Sequence, residues 1–104
     1  MKSRLEAILD LIEESPDEPM PRMMAGNELL NAGDYEGAIQ HLERYIELLP
    51  EGDVGAAYRM LGKARAGRGD LDEAREAFER GVQAALVHGH KDLAQAMQQE
   101  MADL

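Results

Sequence analysis

Two stretches of this chain repeat one another at a fixed offset. Gly26 matches Gly62, Gly33-Asp34 matches Gly69-Asp70, Ala38 matches Ala74 and Leu42 matches Phe78, 36 residues apart in every case. A period of about 20 to 50 residues marks an array of stacked supersecondary units, none of which buries its apolar face alone. Such an array grows by nearest-neighbour packing, so 104 residues make one domain rather than a catalytic domain with a second attached.

Each unit divides at its Gly-Asp pair. Gly33 and Gly69 suit the left-handed position that ends a helix, and Asp34 and Asp70 suit the cap that starts the next. In the second unit, Asp70-Leu71-Asp72-Glu73 adds an acid three residues after the cap, an arrangement similar to a capping box. The composition agrees, since Ala, Leu, Glu, Arg and Met abound while Thr and Trp are absent. The pattern predicts an all-α chain with six helices near 2–14, 20–32, 35–48, 54–67, 71–87 and 90–103. Pro16, Pro19, Pro21 and Pro50 fall between these helices or at their starts, where a missing N–H is tolerated.

At this point the residues resemble the tetratricopeptide-repeat (TPR) family, whose pattern runs from a bulky residue through Leu-Gly and Tyr to Ala, Phe and a late Pro. The second unit carries it as Tyr58-x2-Leu61-Gly62, then Ala74-x3-Phe78. The first carries Ala25-Gly26-x2-Leu29, then Ala38-x3-Leu42 and Pro50. In both, glycine and alanine stand 12 residues apart, the family's spacing for two closely approaching helices. The departures are Arg22 at the first unit's bulky aromatic position, Arg65 in place of the second unit's tyrosine, and no terminal proline in the second unit. An offset of 36 rather than 34 places two extra residues in the Glu51-Gly52-Asp53 connection.

The resemblance implies a right-handed superhelix of antiparallel helical hairpins. It divides the chain into an N-terminal half-repeat helix (1–16), repeats at 19–52 and 55–88, and a C-terminal capping helix (90–104). Pro16 precedes Pro50 by 34 residues, which sets Ile8, Leu11 and Ile12 where a second repeat helix keeps its buried side chains. At the other end Leu93, Met97, Met101 and Leu104 form a stripe opposite Gln95, Gln98 and Gln99, as expected of a cap with one wet face.

Residues that would carry catalysis or hold a metal are sparse. The two serines, Ser3 and Ser15, have no histidine near in sequence, against a hydrolytic triad. His41, between Gln40 and Glu43, reads as a solvated side chain. His88-Gly89-His90 places two imidazoles in a loop but falls short of the four ligands of a structural zinc site, with no thiolate available. Glu13, Glu14, Asp17 and Glu18 lack calcium-loop spacing and read as surface charge. Gly62, Gly67 and Gly69 have neither a preceding strand nor a following Gly-Lys-Ser/Thr, so they read as helix packing and a cap rather than a phosphate loop. No enzyme, cofactor or metal is expected.

A formal net charge of −10 argues against nucleic acid as a partner. The apolar runs fall far short of the roughly 20 residues of a membrane helix, and the absence of cysteine suits a reducing, cytoplasmic setting. What remains is binding of a protein or peptide by a monomer or weak homodimer. By the resemblance, the first helix of each hairpin lines a concave groove with Met20, Met23, Asn27, Leu30 and Asn31, then Ala56, Arg59, Lys63, Ala66 and Gly67. Arg59 and Lys63 lie one turn apart and Asn27 matches the asparagine of the family's carboxylate clamp, although Met23 stands at the clamp's lysine position. The groove would take a peptide or helix; alternatively these cations only pair with nearby acids. Met20, Met23 and Met24 read either as core or as adaptable binding surface. The other function class is a structural or self-associating subunit that docks through its convex face or terminal helices.

Overall fold

The computed structural model describes residues 1–49 and 51–104; Pro50, the late proline of the first repeat, lies outside them. Six helices follow one another: α1 (Arg4–Glu14), α2 (Pro19–Asn31), α3 (Tyr35–Leu48), α4 (Ala56–Arg68), α5 (Leu71–Val87) and α6 (Lys91–Ala102). Among the described residues there is no strand, and every helix end falls within two residues of the sequence expectation.

Three hairpin turns share one hydrogen-bond scheme. At the first, Gly33 has φ +80°, Gly33 N–H donates to the Leu30 carbonyl, and Asp34 N–H reaches back to Leu29 at 2.9 Å. This is the Schellman ending, which leaves few helix carbonyls unpaired. Gly69-Asp70 repeats it, and so does Gly89-His90, where His90 N–H reaches Ala85 at 2.7 Å. The two aspartates differ afterwards. The Asp34 carboxylate accepts from Gly37 N–H at 3.0 Å and caps α3. Asp70 makes no side-chain cap, contrary to the capping-box expectation, because the Arg68 guanidinium draws its carboxylate to 3.2 Å.

Neighbouring helices pack in sequence order, and α2 also reaches α4. By contrast, α3 and α5 make no extensive contact, although Ile39 and Leu42 of α3 and Ala77 of α5 share the central core. With α2 reaching α4 and the Arg59–Glu100 pair joining α4 to α6, the even-numbered helices form one side and the odd-numbered ones the other. The central core joins Leu29, Ile39, Leu42 and Leu61 with Ala38, Ala64 and Ala77. A second core gathers Phe78, Val82 and Met97 with Ala74, Ala85 and Ala94, and the stripe Leu93, Met101 and Leu104 packs onto it as expected. The paired glycines set the helix spacing: a methyl on Gly26 would lie 2.6 Å from Leu42, and one on Gly62 would lie 2.8 Å from the Phe78 ring.

At the N-terminus Ile8 and Ile12 are buried against Ala25, but Leu11 is 45% exposed, which corrects its assignment to the core. The cause is geometric. At 100° per residue Leu11 lies well to one side of the Ile8–Ile12 stripe, and α1 packs chiefly on α2, so only a narrow stripe is covered. Ser3 caps α1 by accepting from Glu6 N–H, and Arg4 Nε meets Glu28 at 2.6 Å.

His41 is half-buried rather than solvated. Its Nδ1 lies 3.3 Å from Arg22 Nη1, and because a guanidinium only donates, Nδ1 accepts and the ring is neutral. Burial first, then the Arg22 charge, hold His41 below its ordinary pKa, with Asp34 opposing. A base held neutral by the fold contributes stability above its unfolded pKa, about 6.5, and loses it as the pH falls and the unfolded chain takes up the proton first. The melting temperature is therefore expected to drop more steeply between about pH 7.5 and pH 5.5 in the natural protein than in His41→Gln. Parallel melting curves for both would count against this origin.

Candidate functional site

The groove positions lie on α2 and α4, and the fold sorts them into unequal classes. Met20 is 57% exposed and Asn27 and Asn31 face solvent, whereas Met23 and Leu30 are half-buried against the central core. The methionine cluster divides, because Met24 packs beside Ile8 and Ile12 while Met20 stays free. Gly67 is exposed, with the Tyr35 ring beside it, where a methyl would lie 2.5 Å from the ring.

Arg59 and Lys63 do share a helix face, but they are not an equivalent pair of free cations. Arg59 Nε donates to Glu100 Oε1 at 2.8 Å, and Nη2 donates to the same oxygen, joining α4 to α6. That hydrogen bond raises the Arg59 pKa further above its already high ordinary value. Glu100 Oε2 is buried without a hydrogen-bond partner, so the pair uses one carboxylate oxygen and strands the other. Lys63, one turn along, is exposed and has no ion-pair partner among the described residues.

The two arginines that replace family aromatics act as ties. Arg22 donates to the Pro16 carbonyl at 3.4 Å in addition to His41. Arg65 donates to the Glu73 carbonyl at 3.1 Å and approaches Glu43 at 3.9 Å, linking α4 to α5 and α3.

Two acids emerge that the sequence patterns had not singled out. Glu100 is placed only by the docking of α6, and no repeat spacing connects it to Arg59. Asp53 is 6% exposed; its Oδ2 accepts from Gly55 and Ala57 N–H, each at 2.8 Å, and from Tyr58 N–H at 3.4 Å. An acid directly before the helix predicted near 54–67, at its cap position, was the available signal for Asp53. His88 and His90 stack with ring centroids 6.5 Å apart, and no group of three or more His, Cys, Asp or Glu among the described residues is placed to hold a metal. Nor is any described helix long and apolar enough to cross a membrane.

Helical hairpins with paired small residues at the crossings, stacked without a strand, define a helical-repeat protein. The tetratricopeptide-repeat family model matches residues 29–100, and the chain belongs to that family. The TPR repeat-containing protein PA0015 of Pseudomonas aeruginosa is 37% identical over 93 residues, covering 89% of this chain and 87% of that protein. The solution structure of protein BPP2914 from Bordetella parapertussis matches with a TM-score of 0.83, over 99% of this chain and 88% of that one. At 24% identity that likeness is one of fold. The protein is thus a small all-α TPR protein of a family whose members serve as protein interaction modules.

Proposed function

We propose that this protein is a non-enzymatic adaptor whose α2–α4–α6 side binds a carboxylate-bearing peptide. The observation behind this is the Arg59–Glu100 pair, in which a carboxylate is already held on that side by one of the expected cations. Glu100 serves as an internal occupant. A partly exposed ion pair contributes about 0–1 kcal/mol, and this one leaves an acceptor unmet, so a peptide carboxylate offering both oxygens to the guanidinium fork can displace it at small cost. Lys63 supplies a second cation, Asn27 and Asn31 supply amides, and Met20 supplies an adaptable apolar surface, with Met23 and Leu30 as the shallow floor. The working divisions are 1–16, 19–52, 55–88 and 90–104. The setting is cytoplasmic, in keeping with the cysteine-free chain, as a monomer or weak homodimer.

The test is titration with a short acidic peptide bearing a free C-terminal carboxylate, alongside its amidated neutral counterpart. Arg59→Glu with Lys63→Glu is expected to weaken binding of the acidic peptide by tenfold or more, about 1.4 kcal/mol or above. Glu100→Gln is expected to strengthen it. Equal binding by the neutral peptide, or indifference to both changes, would transfer the function to the convex face or the helix ends, where a structural or self-associating subunit would dock.

A further inference from the structure

Between α3 and α5, on the side of the molecule formed by the odd-numbered helices, lies a furrow of about 180 Å³ with α4 as its floor. Ile46, Tyr58 and Ala77 contribute apolar surface, while Glu43, Glu47 and Glu76 stand around it. We propose that this furrow is a second docking surface, and that its occupant is a short basic, amphipathic segment of a partner protein that lowers an arginine or lysine between α3 and α5.

Shape and charge select that occupant. The furrow holds side chains but not a whole helix, so a ligand lies across it and inserts a long side chain, its aliphatic stem on Ile46 and Tyr58 and its charge among the glutamates. Two arginines also line the furrow, but Arg65 is largely buried, donates to the Glu73 carbonyl and stays 3.9 Å from Glu43, too far for a close pair. Arg80 is exposed and paired only with Glu76, at 3.2 Å within one helix. Glu47 has a similar exposed partner, Arg44, at 3.2 Å. Such pairs hold weakly and rearrange when a better-placed cation arrives. A second open depression adjoins the first at Tyr58 and Arg80 and continues past Glu51 to Val87, an exposed apolar side chain. The apolar surface therefore runs on along α5 through Ala84 to Val87, with Glu51 beside it. The net charge of −10 adds long-range attraction for a basic partner and repulsion for an acidic one.

The probe is a short synthetic amphipathic peptide of arginines and leucines, compared with the same peptide carrying glutamates for arginines. It is titrated into isotopically labelled full-length protein and followed by amide chemical shifts and fluorescence anisotropy. Shifts concentrated at Glu43, Ile46, Tyr58 and Ala77, with affinity falling as salt rises, are expected. Glu43→Gln with Glu47→Gln should weaken binding about threefold to tenfold. Arg80→Glu, which adds to the acidic rim, should strengthen it by a similar factor, a gain that a misfolded variant cannot imitate. The inference is overturned by shifts spread evenly over all acidic faces, by shifts confined to the α2–α4–α6 side, or by equal binding of the glutamate peptide. Concentration-dependent doubling of the mass that protects the furrow without peptide would likewise overturn it, by showing a second copy to be the occupant.

Discussion

Phe78→Ala is expected to be the most destabilising single truncation in the molecule. Phe78 is 2% exposed and heads the fully buried side chains by volume, and its ring spans from the Gly62 backbone on α4 to the second core with Val82, Ala94 and Met97. Removing it deletes the transfer energy of the ring and leaves a cavity that Gly62 and the surrounding alanines have no side chains to fill. Buried aromatic truncations of this kind cost about 3–5 kcal/mol, against a typical total of about 5–15 kcal/mol for a domain. At about 4–8 °C per kcal/mol for a domain of this size, the melting temperature should fall by roughly 15 °C or more. A shift below about 4 °C would mean that the hairpins collapse around the lost ring and that the α4–α5 crossing is not built on it. The companion change Gly62→Ala should also destabilise: helix propensity favours alanine by about 1 kcal/mol, but the new methyl would sit 2.8 Å from the ring.

That crossing explains why so much of the fold was legible in the sequence. Gly26 with Leu42 and Gly62 with Phe78 record a distance between helix axes, and the Gly-Asp pairs record a turn; both are local or periodic constraints that leave a regular trace. The stripe from Leu93 to Leu104 is legible for the same reason, since a helix packed on one neighbour shows its buried face at helical spacing. The same logic misplaced Leu11, because spacing within α1 does not reveal that chiefly one helix covers it. The candidate site was less legible because its decisive pairs have no period. Nothing between Arg59 and Glu100 in sequence announces a contact 41 residues apart, nor between Arg22 and His41 one of 19. Asp34 and Asp70 occupy equivalent positions yet differ in capping because Arg68 competes for the second. Long flexible charged side chains choose among several partners of similar energy, and the choice is made by tertiary placement after the helices have docked.

Asp53→Ala is expected to produce the second large loss, and it arises where the repeat departs from its usual length. Gly55 is the N-cap of α4, with φ +126°, and has no side chain with which to satisfy the first turn. The Asp53 carboxylate does so from two residues upstream, receiving Gly55, Ala57 and Tyr58 N–H at the positive end of the helix. Its charge also reaches the neighbouring helix, where burial first and Asp53 second raise the pKa of Tyr45. Alanine would strand these amide groups, some of them buried, at a cost of about 2–3 kcal/mol, or a melting temperature lower by roughly 10–20 °C. Asp53→Asn retains an uncharged acceptor and should lose about half as much. Amide exchange separates the cap from general packing: in Asp53→Ala the Gly55, Ala57 and Tyr58 amides should exchange well ahead of the α2 and α5 backbones, whereas uniform acceleration would assign Asp53 a diffuse role. The consequence extends to both proposed surfaces, because the turn that frays carries Tyr58, at the furrow, and Arg59, at the carboxylate site, on different faces of one helix. The extra length around Glu51-Gly52-Asp53 thus acts as the anchor that fixes the first turn of α4 before either partner arrives.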